Sequence, residues 1–366
     1  MLVTTKAVTT VVGEIPLAEL IISLLEKASA AREPLFDAGH KTAFRLFNGF
    51  SEGCPDLTVD LYAATAVLHN YAERPEQGLP LVHGAQAFLQ ERFPWMRAGI
   101  VKTRNSPSAE EKRGKLLFGE APDRKVQEHG VWYALDLCMN RDASLYLDTR
   151  HLRQWLLQHL GGKTVLNTFA YTGSLGVAAC AGGAARVVQL DLSRQFLNLA
   201  KTSYTLNGFP INKADFIAGD FWSQVNRLKR AGERFDCALV DPPFFSATPK
   251  GALDLNTDSA RLINKVRPLI NDGGWLVSVN NALYVSGREY LETLEALCAD
   301  GYLKIAELIP VPEDFIGYSQ TRTGAQLTDP RPFNHSTKIA VMEVRRKTDD
   351  GRQMTDDGRW KAEEKI

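Results

Sequence analysis

Thr164-Val-Leu-Asn167-Thr-Phe169-Ala-Tyr171-Thr-Gly173-Ser-Leu-Gly176 runs from a short apolar start through a turn into small residues suited to a helix. It opens the one long uncharged stretch, Thr164 to Ala185, which carries Asn167, Thr168, Thr172, Ser174 and four glycines. So many polar and glycine positions do not suit a bilayer, and the stretch reads as a buried strand, a turn and a helix. Outward from it, further apolar runs follow at regular intervals. The sequence predicts strands at 164–168, 186–191, 214–218, 235–241, 274–280, 303–310 and 337–345, with helices in the gaps between the first six. Such alternation means crossover connections and a largely parallel sheet covered on both faces.

Upstream the pattern changes. Residues 15–31 place Leu17, Leu20, Ile21, Leu24 and Leu25 on one helical face. From Phe44 to about Leu137 the chain breaks into short runs bounded by turn residues, with strands expected at 44–47, 57–61, 67–69, 99–102 and 131–137 and a helix at about 81–93. A second helix is expected at 151–160. The organisation is therefore read as a helical lead-in (1–40), a small α+β domain (41–150), a larger α/β domain (151–345) and a tail (346–366). The tail repeats Thr348-Asp-Asp-Gly-Arg352 as Thr355-Asp-Asp-Gly-Arg359 and lacks apolar periodicity.

Composition narrows the function. Charged residues make up 23% and hydrophobic residues 44%, ordinary values for a globular chain. The 43 Lys and Arg cancel the 43 Asp and Glu, so any nucleic-acid site must be a local patch. Five scattered cysteines without Cys-x-x-Cys spacing argue against a disulfide framework or a metal site and point to a reducing cytoplasm. Lys6, Val11-Val12 and Glu14 do not build a signal peptide, and no membrane partner is expected.

In an open α/β sheet the ligand sits beyond the carboxyl ends of the strands. The first turn is not Gly-x-Gly-x-x-Gly, because Phe169 and Tyr171 fill positions where a pyrophosphate needs bare backbone; a dinucleotide is disfavoured. The second strand ends at Asp191, the third near Asp220 and the fourth at Asp241. A carboxylate at Asp191 can accept two ribose hydroxyls, and one at Asp220 an adenine amino group. Each Asp alone is equally an N-cap, but the three together with the first turn point to an adenosine ligand.

Val240-Asp241-Pro242-Pro243-Phe244-Phe245 follows the fourth strand. Two prolines fix φ and remove donors, leaving the Asp241 carboxylate and Pro242 carbonyl as acceptors for an amino group. Phe244 offers a face for stacking a base. Phe245 is a further substrate-side candidate.

These residues resemble class I S-adenosylmethionine-dependent methyltransferases of the rRNA large-subunit methyltransferase I type. The resemblance rests on Asn167-Thr-Phe-Ala-Tyr-Thr-Gly173, Gln189-Leu-Asp191, Asn207-Gly208 and Asp241-Pro-Pro-Phe244. Upstream, Phe44-Arg-Leu-Phe-Asn-Gly49, Gly53 to Tyr62, Glu128-His-Gly130 and Tyr146-Leu-Asp-Thr-Arg150 extend it. It implies a Rossmann-like seven-stranded sheet with an antiparallel last strand, S-adenosylmethionine as methyl donor and rRNA as acceptor. Asn167, Phe169, Tyr171, Gly173, Asp191, Asp220 and Asp241 would hold the donor; Arg150 would bind its carboxylate or be a plain helix-start arginine.

Two departures stand out. Members of this family usually begin with a small RNA-binding (PUA) module, for which the 43 residues before Phe44 are too few. Those that make 5-methylcytosine carry a cysteine past the fifth strand, because carbon 5 needs a thiolate on carbon 6. Here the segment is Val277-Ser-Val-Asn280-Asn281, and Cys237 lies within the preceding strand as core. A guanine or adenine nitrogen is therefore favoured over cytosine carbon 5. Protein glutamine methylation and a catalytically silent RNA-binding protein stand as alternatives. For RNA contact the sequence offers Lys102 and Arg104 in the charged stretch 102–115, which is equally a solvated loop, together with the loop Ser246 to Leu253 and the segment Tyr318 to His335 with Arg322 and Arg331.

Overall fold

The computed structural model describes residues 16–248, 251–323 and 329–346; the side chains of 245–248 and 251–253 are outside the description, as is the whole of 347–366 with the tail repeat. The chain starts with helix α1 (Leu17–Ala31) and strand β1 (Ala43–Asn48). The helical turn α2 (Gly49–Glu52), strands β2 (Leu57–Tyr62) and β3 (Thr65–Asn70), helix α3 (Leu79–Arg92) and strand β4 (Ala98–Thr103) follow, then helical turn α4 (Ala109–Arg113) and strand β5 (Lys115–Gly119). Strands β1 to β5 lie side by side in chain order, β3 and β4 parallel and the rest antiparallel.

α1 and α3 cover one face of this first sheet through Ile21, Leu25, Val82 and Phe88 against Leu46, Val59 and Leu68. The other face is continuous with the next body: Tyr62, Val67 and Ile100 share a core with residues beyond 150. Hairpin β6 (Lys125–Glu128) and β7 (Val131–Ala134) bridges the two, its turn made by His129 and Gly130, both at positive φ.

Helix α5 (Arg150–His159) leads into the larger sheet. Its elements are β8 (Thr164–Thr168), α6 (Ser174–Ala181), β9 (Arg186–Asp191), α7 (Arg194–Leu206), β10 (Phe216–Ala218), α8 (Phe221–Arg230) and β11 (Phe235–Val240). A hairpin, β12 (Phe245–Thr248) and β13 (Gly251–Asp254), occupies the expected loop after Asp241. Then come α9 (Ser259–Val266), β14 (Ile270–Asn280), α10 (Gly287–Cys298), β15 (Leu303–Ile309), helical turn α11 (Glu313–Ile316) and β16 (Lys338–Val344). The strand order is β10-β9-β8-β11-β14-β16-β15. The last strand, β16, runs antiparallel to both neighbours, as the family resemblance implies.

Alternate residues explain why both faces are covered. Val165, Cys237 and Leu239 face α5, α6 and α7 through Leu152, Leu175 and Leu197. Leu166, Ala238 and Val240 face α8, α9 and α10 through Val225, Ile263 and Leu294. A strand buried on both faces carries adjacent apolar residues, as β8, β9 and β11 do at Val165-Leu166, Val187-Val188 and Cys237 to Val240. The strand expected at 131–137 stops at Ala134, because Leu135 to Asn140 turn toward the second body, and β5 and β6 were not expected. Among the described residues no helix is long and apolar enough to cross a membrane.

Buried ion pairs tie the bodies together. Arg153, fully buried on α5, meets Glu128 of β6 at 2.7 and 2.8 Å. Arg32 grips Glu52 at 2.9 and 3.0 Å and donates to the Asp314 carbonyl of α11. The Asp314 carboxylate, itself buried, accepts the Arg45 backbone N–H at 2.9 Å and two donors of Arg150. Removing one member of such a pair strands a charge in the interior. Glu128→Ala is therefore expected to lower stability by about 3–5 kcal/mol in denaturant titration, with Glu128→Ala/Arg153→Leu recovering part of the loss.

Candidate active site

A cavity of about 470 Å³ opens at the carboxyl ends of β8, β9, β10 and β11. Its floor is the turn after β8, where Phe169, Tyr171 and Gly173 all take positive φ (54°, 52° and 76°). Left-handed backbone at two aromatic residues costs on the order of 1–3 kcal/mol each, and such strain persists only where the surroundings impose it. Here they do. The Ala170 N–H donates to Leu190 (2.9 Å), the Tyr171 N–H to Asp191 (2.8 Å), and the Tyr171 hydroxyl to the Ala143 carbonyl (3.1 Å). Gly173 has a packing reason to be glycine as well, since a Cβ there would lie 2.5 Å from that of Ala200.

Four carboxylates, those of Asp148, Asp191, Asp220 and Asp241, line this cavity, and its lining residues include no Lys, Arg or His. The Asp191 oxygens accept N–H groups from Tyr171 and Ser193, and burial pushes its pKa up; each oxygen retains a lone pair for a ligand hydroxyl. Asp220 caps α8, one oxygen accepting both the N–H (3.0 Å) and hydroxyl (2.9 Å) of Ser223. Its other oxygen takes no hydrogen bond among the described residues. The N-cap and ligand readings thus coexist in one side chain.

Asp241 is different. No described residue hydrogen-bonds its carboxylate, and burial, followed by the charge of Asp148, raises its pKa to about 7. Asp148 is held by the Thr337 hydroxyl at 2.8 Å. Pro242 is buried, whereas Pro243 and Phe244 are exposed, Phe244 at 40%. The corner therefore carries acceptors inward and an aromatic face outward. Phe245 belongs to β12, but its side chain lies outside the described residues.

Several sequence-stretch residues are placed elsewhere than expected. Asn167 is buried in β8 with its amide donating to Gln189 at 2.8 Å; it braces the turn from beneath and does not line the cavity. Gly173 likewise shapes the turn without lining the cavity. Arg150 does not line the cavity, and its guanidinium is engaged by Asp314, with the shorter contact at 2.6 Å.

Lys102 and Arg104 are not an open phosphate-binding loop. Lys102 is fully buried, its ammonium donating to the Arg113, Asn140 and Asp142 carbonyls, and burial lowers its pKa to about 8. Arg104 pairs with Asp142 at 2.9 Å. Arg322 and Arg331 are exposed.

Other lining residues were missed. Phe221 stacks on Phe169 with ring centroids 4.6 Å apart, and Trp222 lies beside it. Their position directly after Asp220 was the available signal. Tyr146 and Asp148 sit in the quoted Tyr146 to Arg150 motif, in which only the arginine drew attention. Asn281 also lines the cavity, at the place read for its lack of cysteine. Cys237 is fully buried in β11, where burial raises its thiol pKa, and it does not line the cavity.

The raised pKa of Asp241 has a defined sign in stability. The folded state keeps a proton up to about pH 7 that the unfolded chain releases near pH 4. Stability from this group therefore falls as pH rises between those values and is level above them. Asp241→Asn is expected to melt higher than the parent at pH 8, the advantage vanishing near pH 4; an equal difference at both pH values would refute the desolvated carboxylate.

The S-adenosylmethionine-dependent methyltransferase family model matches residues 100–319. The ribosomal RNA large subunit methyltransferase I of Aeromonas salmonicida is 32% identical over 230 residues, covering 62% of this chain and 58% of that protein. A Bacillus subtilis protein named "Putative ribosomal RNA large subunit methyltransferase YwbD" is 31% identical over 306 residues, covering 80% of this chain and 75% of its own. The chain thus spans less than two thirds of the Aeromonas protein's length but three quarters of the Bacillus one. In fold, the chain matches a crystal structure titled as "a putative methyltransferase complexed with SAH", at TM-score 0.76 and 21% identity over 89% of this chain and 82% of that one. Family match, relatives and sheet agree: this chain belongs to the S-adenosylmethionine-dependent methyltransferases, and S-adenosylmethionine is its cofactor.

Proposed function

We propose that this protein methylates a base nitrogen of large-subunit rRNA. The observation that carries the reading is the Asp241-Pro242-Pro243 corner at the edge of a cavity whose charged lining residues are all acidic. Four carboxylates without a basic side chain suit a cationic ligand, and the paired rings of Phe169 and Phe221 suit a purine. The residues present therefore fit S-adenosylmethionine, which when bound supplies an electrophilic methyl group on a sulfonium.

Asp191 would accept the ribose hydroxyls with the lone pairs its backbone donors leave free. Asp220 would accept the adenine amino group on its unbonded oxygen. The donor-free Pro242 carbonyl and the Asp241 carboxylate would each accept an N–H of the acceptor amine, aiming its lone pair at the methyl carbon. Alignment of this kind is worth effective molarities of order 10⁵–10⁸ M. Asp241, titrating near neutrality, can take the proton that the methylated nitrogen sheds. Phe244, exposed beside them, would stack against the base.

Nitrogen is preferred over cytosine carbon 5 because the cavity-lining residues include no cysteine to activate the ring. RNA is preferred as acceptor on the names of the relatives and on the exposed Arg322 and Arg331, which lie in the segment between β15 and β16. The acceptor is tested by labelling extracts with radioactive donor, with and without ribonuclease, and by nucleoside mass spectrometry of rRNA from a deletion strain. Loss of one N-methylated base is expected; loss of 5-methylcytosine, or label resistant to ribonuclease, would contradict the reading. Asp191→Ala should weaken donor binding measured by calorimetry, while Asp241→Ala should lower turnover on the order of 10²-fold with folding retained.

A further inference from the structure

β14 lies parallel to β11 with Ser278 opposite Val240, so the chain leaves both strands at the same end of the sheet. The exit of β11 carries Asp241 and the exposed Phe244; the exit of β14 carries Asn281, which lines the cavity. Beyond Asn281 the loop 282–286 is firmly held. Lys338, fully buried at the start of β16 and paired with Asn280, donates from its ammonium to the carbonyls of Ala282 (2.9 Å), Val285 (3.0 Å) and Ser336 (2.6 Å). The Ala282 N–H donates to the Asn280 side chain at 2.9 Å. On this fixed backbone Tyr284 is 84% exposed, more than any other large apolar side chain among the described residues, and Leu283 beside it is exposed as well.

Two arginines are brought to the same loop. Arg288 is exposed in the first turn of α10. The Gly287 N–H donates to the Asp329 carbonyl at 2.9 Å, and a Cβ on Gly287 would lie 1.9 Å from the Pro330 carbonyl oxygen. Segment 329–331, with the exposed Arg331, is therefore seated against the start of α10. The carboxylates on these stretches, Glu289 and Asp329, accept the backbone N–H groups of Ser286 (2.7 Å) and Arg331 (3.1 Å).

We infer that Tyr284 is a stacking platform for an RNA nucleotide next to the acceptor base, with Arg288 and Arg331 meeting phosphates of the same strand. This rests on the proposed function and adds to it the way single-stranded RNA is held. Tyr284 is three residues from Asn281, at most about 11 Å of chain from the cavity wall. A strand that presents a base to the Asp241 corner therefore passes close to the ring. A solvent-facing aromatic flanked by arginines suits a base and its phosphates, whereas a protein partner needs a wider apolar face than Leu283 and Tyr284 provide. Fixing the loop in advance lowers the entropy lost when the base stacks. Stacking tolerates any base, so the platform holds the strand and leaves the choice of acceptor to the cavity.

The test uses purified full-length protein and rRNA from a strain lacking the gene. Tyr284→Ala should raise KM for rRNA about tenfold, with kcat and the calorimetric Kd for S-adenosylmethionine within about twofold of the parent; Tyr284→Phe, which keeps the ring, should behave as the parent. Arg288→Gln/Arg331→Gln should flatten the slope of log affinity for rRNA against log salt by about 1.4, the amount for two phosphates of a single strand. An unchanged KM in Tyr284→Ala, or Tyr284→Phe as impaired as Tyr284→Ala, overturns the stacking role. An unchanged salt slope overturns the role of the arginines. Both of those results leave the proposed function standing, whereas no transfer to rRNA by the parent overturns that reading and this inference together.

Discussion

Four carboxylates share one cavity whose lining residues include no cation, and at Asp241 burial, with the charge of Asp148 beside it, makes the ionised form costly. Asp191 and Asp220 are stabilised by backbone and hydroxyl donors of Tyr171, Ser193 and Ser223. Asp148 accepts the Thr337 hydroxyl, whereas Asp241 has no described donor, and burial first, with the charge of Asp148 second, raises its pKa to about 7. A site that raises the energy of its own carboxylates gains most from a bound cation. The strained turn at Phe169 and Tyr171 belongs to the same arrangement, since it delivers the Tyr171 N–H to Asp191 and the Phe169 ring to Phe221.

The first sheet does more than precede the site. The carboxylate of Asp314, between β15 and β16, is anchored by Arg45 of β1 and Arg150 of α5, and Arg153 is anchored by Glu128 of the bridging hairpin. Asp148 stands two residues before Arg150, so one of the four cavity carboxylates is positioned by the same junction. Mutations in these pairs should act on the site through the placement of Asp148.

Much of the fold was legible because strands buried on both faces place apolar residues next to one another: Val165-Leu166, Val187-Val188 and Cys237 to Val240 lie in Thr164–Thr168, Arg186–Asp191 and Phe235–Val240, where the sequence places strands. β5 was not legible, since Lys115-Leu-Leu-Phe-Gly119 is half exposed and follows a run of charges. In the site, acids at strand tips were visible from spacing alone. The fates of Arg150 and Lys102 were not, because Asp314 is 164 residues away and the Asn140 carbonyl 38, and neither partner leaves a local mark. Asn281 was in view as a position without cysteine, but that it lines the cavity is a property of packing.

The claim that this cavity is built to meet positive charge is tested most directly by proton release. Calorimetric titrations at pH 7 in buffers of different ionisation enthalpy count the protons displaced when S-adenosylmethionine binds and, separately, when the uncharged thioether S-adenosylhomocysteine binds. With Asp241 titrating near 7, the sulfonium ligand should displace roughly half a proton and the thioether distinctly less. Equal release by the two ligands would contradict the account.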